Sequence, residues 1–475
     1  MLLFFTCVAL LIAGYFLYGS LMDRIFEPDS GRVVPARSMA DGVDYVEMST
    51  PKLYLIQLLN IAGLGPIFGP ILGALYGPSA LVWIVVGCIF GGAVHDYFVG
   101  MMSLRSNGEN IPNLVGHQMG GFAKQFMNYF SVVLLLLVGI VFVLGPGKLL
   151  AQMTGMPTWA WVAVIFAYYF VATILPFDKI IGRLYPFFGA LLLFMSVALT
   201  VMLFASPEHE VLPGGLSMAN THPTDLPIWP LMFITIACGA VSGFHATQTP
   251  LVARCLKNER NGRVVFYGAM IGEGVVALIW ATLGLSFYEN SAALQEAISA
   301  GTASGVVYEV SNALLGGGLG SILAILGVII LPITSGDTAF RSARLIISEY
   351  VKLPQGQISR RLMIAVPLFA VGFLVSLGDF NVIWRYFGWA NQTVAAMALW
   401  AAAVYLVRLG KFHWICTVPA TFMTAVTIAY IAAEKIGFGL PYTVANVLGI
   451  AAAVISLGAF LLLNRRPSIT PAPAE

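Results

Sequence analysis

The stretch NIAGLGPIFGPILGALYGP (60–78) decides the fold, because it places helix breakers inside an otherwise apolar segment. Gly63, Gly65, Pro66, Gly69 and Pro70 fall within eight residues. Proline removes a backbone N–H and clashes with the preceding helical turn, so this spacing predicts an unwound segment. Inside a membrane, freed backbone groups are tolerated only where they line a cavity or are buried in protein. A glycine-lined crossing with a proline kink is the alternative interpretation.

A second apolar stretch, ACGAVSGFHATQTP (237–250), is interrupted in the same way. Gly239, Gly243 and Pro250 break it, and it carries an unusually polar patch made of Ser242, His245, Thr247, Gln248 and Thr249. The alternative interpretation is a kinked helix whose polar groups satisfy one another. His245 can be interpreted as a core histidine or as a substrate ligand. Together the two stretches predict a substrate site lined by Gly63, Gly65, Pro66, Gly69, Gly239, Ser242, Gly243, His245, Thr247 and Gln248.

The composition places both stretches in a membrane. Hydrophobic residues make up 59% of the 475-residue chain and charged residues 10%, whereas soluble domains carry about 25% charged residues. No basic tract with interleaved aromatics is present, so nucleic acid is not an expected partner. A span needs about 20 apolar residues, and thirteen candidates are predicted at 2–21, 54–76, 79–104, 126–146, 158–175, 184–205, 229–252, 264–287, 318–340, 360–377, 382–407, 413–433 and 442–463.

Lysine and arginine give the orientation, because they accumulate in cytoplasmic loops. With the loop at 22–53 in the cytoplasm, 21 of the 24 lysines and arginines fall on that side, including Lys179, Arg183, Arg465 and Arg466. The pattern predicts a multi-pass protein with its N-terminus outside and its C-terminus in the cytoplasm. The apolar segment 2–21 has no basic region before it, which favours a retained helix over a signal peptide.

The two interrupted spans are the second and the seventh, and an odd offset of five inverts the direction of the chain. Paired breaks of this kind indicate an inverted repeat with a substrate site at its interface. The predicted architecture is all-α: a single transmembrane domain over 1–466 that places one extra helix (2–21) before a first repeat (54–205) and a second repeat (229–407). Two further helices (413–463) follow, and the Pro-rich tail at 467–475 is expected to be disordered.

Ionisable groups inside the spans are the next candidates, because charge at membrane depth is costly. His95 and Asp96 are adjacent in GGAVHDYF (91–98). Neighbours on a helix point about 100° apart, so one of the two is expected to face the pathway. Histidine titrates near neutral pH, so this pair could carry a proton. A structural hydrogen-bonded pair near the cytoplasmic end is the alternative.

The ninth span ends in LPITSGDTAFRSAR (331–344). Asp337 and Arg341 are four residues apart and can pair on one helix face, and Arg344 follows three residues later. The hydroxyls of Thr334, Ser335 and Thr338 suit a hard cation such as Na⁺, whereas Asp337 could instead carry H⁺. A charge cluster that secures a helix end at the interface is again the alternative.

Glu273, Asp379 and Arg385 are weaker candidates, and the five cysteines are expected to be small buried residues without a metal. No Walker loop, GxSxG or HExxH motif is present, so an enzyme is not predicted and no cofactor is expected. Energy for transport would come from a gradient of H⁺ or Na⁺, or from a small accessory membrane protein. A channel for small anions is the alternative from another class.

At these residues the chain resembles the carbon-starvation protein (CstA) family. The matching stretches are DGVDYVE (41–47), IAGLGPIFGPILGALYG (61–77), GGAVHDYF (91–98), CGAVSGFHATQTP (238–250) and SGDTAFRSAR (335–344). The resemblance implies inner-membrane uptake of peptides or pyruvate during carbon starvation. It also implies a distant similarity to the amino acid–polyamine–organocation transporters and their LeuT-like five-plus-five fold. In that fold Thr334 and Ser335 would lie at a shared Na⁺ site.

The expectation from sequence is therefore a secondary active transporter that works by alternating access. Exposed helix N-termini at the breaks would bind a carboxylate, as in pyruvate or the C-terminus of a peptide. Coupling to H⁺ through His95, Asp96 or Asp337 is the first expectation, and a Na⁺-coupled amino-acid or peptide symporter is the second.

Overall fold

The structure is a computed structural model that describes residues 1–42, 44–174, 177–213 and 215–464, with the backbone alone for 177–186. Secondary structure in these residues is entirely helical. The α-helices are α1 (Leu2–Phe26), α2 (Pro35–Ser38), α3 (Thr50–Ile61), α4 (Gly65–Gly73), α5 (Ser79–Gly87), α6 (Ala93–Arg105), α7 (Ile111–Met119), α8 (Gly121–Thr154), α9 (Thr158–Ile174), α10 (Phe177–Ala205), α11 (Ile228–Thr235), α12 (Gly243–Ala253), α13 (Gly268–Ser286), α14 (Ser291–Leu315), α15 (Leu319–Tyr350), α16 (Ile358–Ser376), α17 (Phe380–Arg408), α18 (Trp414–Ala433) and α19 (Tyr442–Leu463).

Ten helices in the described residues are long and apolar enough to cross a membrane, and an eleventh crossing results if α3 and α4 form one bent span. The predicted membrane protein is confirmed at this level. α9 is apolar but has 17 residues, which is at the lower limit for a span. α11 and α12, which replace the predicted span 229–252, are shorter still. The tail at 467–475 and Arg465 and Arg466 lie outside the described residues, as do the side chains of Lys179 and Arg183.

Several boundaries differ from the predictions because packing, rather than apolarity, ends the helices. The span predicted at 126–146 extends over 34 residues, through Pro146 and Lys148. Lys148 is accommodated there because its ammonium lies 4.4 Å from the centre of the Phe380 ring. The segment between the predicted spans 79–104 and 126–146 contains the short helix α7. π-turns at Cys88–Gly92 and Arg263–Tyr267 precede α6 and α13, the helices that carry Asp96 and Glu273.

The connections between helices meet in two groups. One group, here called the 22–53 face, is closed by hydrogen bonds and ion pairs. The Met48 amide donates to the Cys255 carbonyl, and the Tyr45 hydroxyl donates to the Asn107 carbonyl. Lys411 pairs with Glu27 at 2.8 Å. These contacts draw the loop after α1 across the ends of the neighbouring helices.

Glu259 is the centre of this face. Its carboxylate is fully buried and accepts from Arg32 at 3.0 Å, from Arg105 at 3.0 Å and from the Asp29 amide at 2.8 Å. Its donors come from the loop after α1 and from the end of α6. A buried carboxylate is stable only when charge and hydrogen bonds compensate it. Glu259 therefore fastens the loop to the helix ends.

Replacing Glu259 by glutamine is expected to loosen the 22–53 face, because the two arginines lose their shared anion. The expected destabilisation is about 1–3 kcal/mol, the cost of leaving buried polar groups poorly paired. The buried thiol of Cys255, which contacts the Asp44 carbonyl under this loop, should then react faster with maleimide, as measured by peptide mass spectrometry. Glu47→Gln is the control, since its pair with Arg37 is exposed. Equal labelling rates in both variants would contradict the assignment.

The opposite group of connections, here called the 205–228 face, surrounds an open cavity of about 600 Å³. Thr221 donates to the Leu75 carbonyl, and Ser291 donates to the Thr221 carbonyl. The cavity lies between α11, α14 and the adjoining ends of α17 and α18. The 205–228 face thus contains an open cavity, whereas hydrogen bonds and ion pairs fasten the loop after α1 at the 22–53 face.

Candidate functional site

The first break lies between α3 and α4, as predicted. α3 ends at Ile61, Ala62–Leu64 are not helical, and α4 begins at Gly65 with its axis bent by 49° from that of α3. Pro66 occupies the first turn of α4, where its missing N–H costs no intrahelical hydrogen bond. The sequence thus both ends the first helix and begins the next.

The second break lies between α11, which ends at Thr235, and α12, which begins at Gly243. Gly239 takes a positive φ of +86° in the intervening segment, a conformation that side-chain-bearing residues rarely adopt. The start of α12 is held by Asn391 from α17. The side-chain oxygen of Asn391 accepts from the Phe244 amide at 2.6 Å and from the Ser242 hydroxyl at 3.2 Å. Sequence reasoning missed Asn391, which lies in the middle of an apolar span.

The two broken segments pack directly against each other. A Cβ added at Gly65 would collide with the Cys238 side chain, and one at Gly69 would lie 2.9 Å from the Thr235 carbonyl oxygen. The space between them is a void of about 10 Å³ beside Gly65 and Cys238. That volume is about what a single water needs. The predicted glycines therefore meet, and they form a closed contact in this conformation.

A cluster of four ionisable side chains lies beside this contact, here called the Asp96 cluster: His95, Asp96, His245 and Glu273. All four are fully buried. One carboxylate oxygen of Asp96 lies 2.8 Å from His95 Nδ1, and the other lies 2.9 Å from His245 Nδ1. His245 Nε2 lies 3.3 Å from a Glu273 oxygen. The groups form one line: imidazole, carboxylate, imidazole, carboxylate.

This geometry adds to two expectations. His95 and Asp96 form the hydrogen-bonded pair that the sequence left as an alternative, and Asp96 also joins this pair to His245 of α12. Glu273, a weaker candidate in the sequence, lies at the end of the line. His245 is neither isolated nor held only by its own helix. The signal available in the sequence was that Glu273 is the one carboxylate within its predicted span.

The cluster also includes a sulfur atom. Cys238 Sγ, His245 and Glu273 offer ligand atoms within 4.8 Å of one another, and thiol, imidazole and carboxylate are groups that bind transition metals. Cys238 already contacts the Ser242 hydroxyl at 3.4 Å. The set is therefore suited to a metal by its chemistry, and His245 Nε2 and both carboxylate oxygens of Glu273 have no hydrogen-bond partner in the described structure.

The second predicted ion site lies on α15. Ser335 donates to the Leu59 carbonyl at 3.0 Å, next to the first break. Thr334 and Thr338 donate to carbonyls of their own helix. Asp337 and Arg341 are 3.9 Å apart, both buried, and Arg341 also donates to the Ala172 carbonyl of α9. Arg344 donates to Gln355 at 2.6 Å.

The polar residues at the end of α12 join it to α15 and α3. Gln248 donates to Ser342 at 3.3 Å, and Ser342 donates to the Thr247 carbonyl. Gln57 donates to Thr249 at 3.3 Å. Thr247 and Gln248, predicted as substrate ligands, thus contribute to helix contacts in this conformation.

Broken helices that meet beside buried charges are a feature of secondary transporters. A manganese transporter from Eremococcus coleocola shares the fold: its crystal structure aligns with 90% of this chain and 98% of its own with a TM-score of 0.59 at 13% identity. This shared fold supports the distant similarity to LeuT-fold transporters that the sequence indicated.

The chain belongs to the carbon starvation protein CstA family, whose pattern matches residues 1–155, 146–314 and 287–430. A Haemophilus influenzae protein described as an uncharacterized membrane protein is 51% identical over 63% of this chain and 95% of its own length. The peptide transporter CstA of Campylobacter jejuni is 26% identical over 94% of this chain and 82% of its own length. The relatives that carry a described role are transporters rather than enzymes, in agreement with the expectation from the sequence.

Proposed function

We propose that this protein is a secondary active transporter of the cytoplasmic membrane that couples uptake of a peptide or a small carboxylate such as pyruvate to H⁺. The observation that carries the proposal is the Asp96 cluster beside the two helix breaks. Buried ionisable groups at membrane depth mark proton or ion pathways. Relatives described as peptide transporters support the peptide, and carbon starvation is the condition in the family name.

The proposed topology has thirteen crossings, with α3–α10 and α11–α17 as two inverted repeats between α1 and the pair α18–α19. In it, α3 with α4 and α11 with α12 are broken crossings, α9 is a short one, and α7 and α14 are surface helices. The grouping of connections into two faces supports this arrangement, as does the excess of lysine and arginine at the 22–53 face. That face would be cytoplasmic, so the N-terminus would lie outside and the C-terminus inside.

The Asp96 cluster is proposed to take up the proton. His245 lies between two carboxylates, so a proton on its ring is stabilised by both, and losing it would leave two adjacent buried anions. His245 belongs to α12 and Asp96 to α6, so a change in protonation would alter the contact between these helices. The substrate carboxylate would bind at the helix N-termini beside Gly65 and Gly243 when the breaks separate. Asp337 is a second, separate proton candidate on α15.

Sodium is the second candidate for the coupling ion. The observation that favours it is the Ser335 hydroxyl at the Leu59 carbonyl, where a hydroxyl and a carbonyl released by the first break meet. Oxygen ligands of this kind suit a hard cation. In that case Thr334 would supply the further hydroxyl.

Uptake by purified protein in proteoliposomes tests the function. Labelled dialanine or pyruvate is expected to accumulate when an inward H⁺ gradient is imposed and to exchange in counterflow without a gradient. Accumulation that follows Na⁺ would assign the Ser335 site instead. Steady conductance without counterflow would indicate an anion channel.

Flux that does not depend on either gradient would refute ion coupling. A stoichiometric transition metal in the purified protein would refute the assignment of the Asp96 cluster to H⁺. Activity in native membranes alone would point to an accessory membrane protein.

A further inference from the structure

The open cavity at the 205–228 face carries one charged pair. Arg385 at the start of α17 and Glu434 at the end of α18 line the cavity, with Arg385 Nη1 3.3 Å from Glu434 Oε2. The Arg385 side chain is 51% exposed and that of Glu434 14%. Burial lowers the pKa of His222, which also lines the cavity, so its imidazole is neutral at neutral pH. Arg385 is therefore the permanent cation among the described cavity residues.

The Arg385 guanidinium has N–H donors beyond the one that Glu434 accepts from. It carries five N–H groups, and Glu434 accepts from one of its nitrogens at 3.3 Å. A single contact of this length between partly exposed groups is weak. A ligand carboxylate can instead engage a guanidinium through two parallel hydrogen bonds. Arg385 can thus exchange its weak ion pair with Glu434 for a stronger, bidentate ion pair with a ligand carboxylate.

The opposite wall belongs to α14 and is formed by three polar residues and Ile298. Gln295, Ser299 and Thr302 follow one another at helical spacing and all line the cavity. Thr302 interrupts the helix with φ +60° and ψ −176°, a conformation that is strained for a β-branched residue. Its hydroxyl has no hydrogen-bond partner in the described structure. Strain of this kind persists where surrounding structure or a ligand requires it.

The cavity continues toward the helix breaks. Ile234, Thr235, Trp384 and Gly388 line both the cavity and the small void beside Gly65 and Cys238. The ring of Trp384 lies 5.8 Å from that of Phe68 in α4. A ligand in the cavity is therefore separated from the proposed central site by a single layer of side chains.

We propose that this cavity is an outer binding site that holds the substrate by its charged ends before the breaks open. The carboxylate binds Arg385, and in a zwitterionic substrate the ammonium binds Glu434. Two ligand ion pairs then replace the internal pair, while the hydroxyls and amide of α14 contact the body of the ligand. The volume of about 600 Å³ falls within the range of small-molecule sites and leaves room for a substrate larger than pyruvate.

This inference rests on the proposed function. Three ligands distinguish a failure of the outer site from a failure of the proposed function: dialanine, pyruvate and N-acetyl-dialanine. The last of these lacks the ammonium. In proteoliposomes, Arg385→Gln is expected to raise the KM of all transported ligands at least tenfold while Vmax stays within twofold. Glu434→Gln should raise the KM for dialanine and leave the KM for the two anions unchanged or lower. Lys435→Gln, at an exposed neighbour outside the cavity, is the matched control and should match wild type.

An unchanged KM in Arg385→Gln, with wild-type uptake intact, overturns the outer site and leaves the proposed function standing. Absence of uptake by the wild type refutes the proposed function instead. Ligand-induced thermal stabilisation, measured on the same purified variants, detects binding independently of transport. Loss of that stabilisation in Arg385→Gln alone, at an unchanged melting temperature without ligand, would support the site. Equal loss in Lys435→Gln would contradict it.

Discussion

Asp96→Asn is expected to abolish gradient-driven uptake while counterflow exchange persists. Asparagine keeps the shape and can still bond to His95 or His245, but an amide does not take up or release a proton at neutral pH. It also removes the anion between two imidazoles that are fully buried. Uptake should fall on the order of 100-fold or more, the scale of losing a positioned proton-transfer group. The measurement is labelled-substrate accumulation in proteoliposomes under an imposed H⁺ gradient.

Asp379→Asn is the matched control. Asp379 caps α17 by accepting from the Val382 amide at 3.0 Å, and asparagine is an equally good N-cap residue. The control should therefore keep full uptake. Accumulation at wild-type levels in Asp96→Asn would contradict the role of the cluster in coupling. Loss of counterflow together with accumulation would place Asp96 in substrate movement rather than in proton transfer.

Gly243→Ala is expected to have the largest effect on folding. A Cβ at this position would collide with the Asn391 carbonyl oxygen and lie 2.5 Å from the Ala395 amide nitrogen, and both are backbone atoms of α17. Neither can rotate away, so α12 must separate from α17 and lose the hydrogen bonds that Ser242 and Phe244 donate to Asn391. Overpacking of this kind costs about 1–3 kcal/mol. A lower melting temperature in detergent and loss of uptake should follow.

The control for this variant is Gly458→Ala in α19, where an added Cβ meets no atom within 4 Å. Alanine favours a helix over glycine by about 1 kcal/mol, so this variant should be as stable as wild type or more so. If Gly243→Ala melts at the temperature of Gly458→Ala, then the close contact between α12 and α17 is absent in solution.

The sequence predicted both breaks well, because the cause of a break is local. Pro66 and the surrounding glycines disfavour a continuous helix, and Gly239 with Gly243 does the same in the second span. Pro70 and Pro250, which were predicted to contribute to the breaks, lie inside α4 and α12 instead. The membrane class followed from composition for a similar reason, since apolar helices must be long enough to cross. Helix ends were less predictable, as α8 shows by continuing through Pro146 and Lys148.

The sequence identified the members of the Asp96 cluster individually as candidates, but it did not predict that they contact one another. Asp96, His245 and Glu273 are separated by 149 and 28 residues, and nothing in their local sequence states that α6, α12 and α13 meet. Asn391 could not be predicted for the same reason, because its local sequence does not indicate which helix end its side chain caps. The pairing of Arg385 with Glu434 across an open cavity likewise depends on how α17 and α18 pack.

By itself, the sequence determined where the helices break and which charges lie within them, because proline, glycine and buried charge act on the chain locally. Only the tertiary structure decided that NIAGLGPIFGP packs against the segment around Cys238. It also decided that Asp96 joins His95 to His245 and that an open cavity lies at the 205–228 face. The physical reason is that ion pairs and side-chain contacts act over a few ångströms, so which groups interact depends on helix packing rather than on distance along the chain.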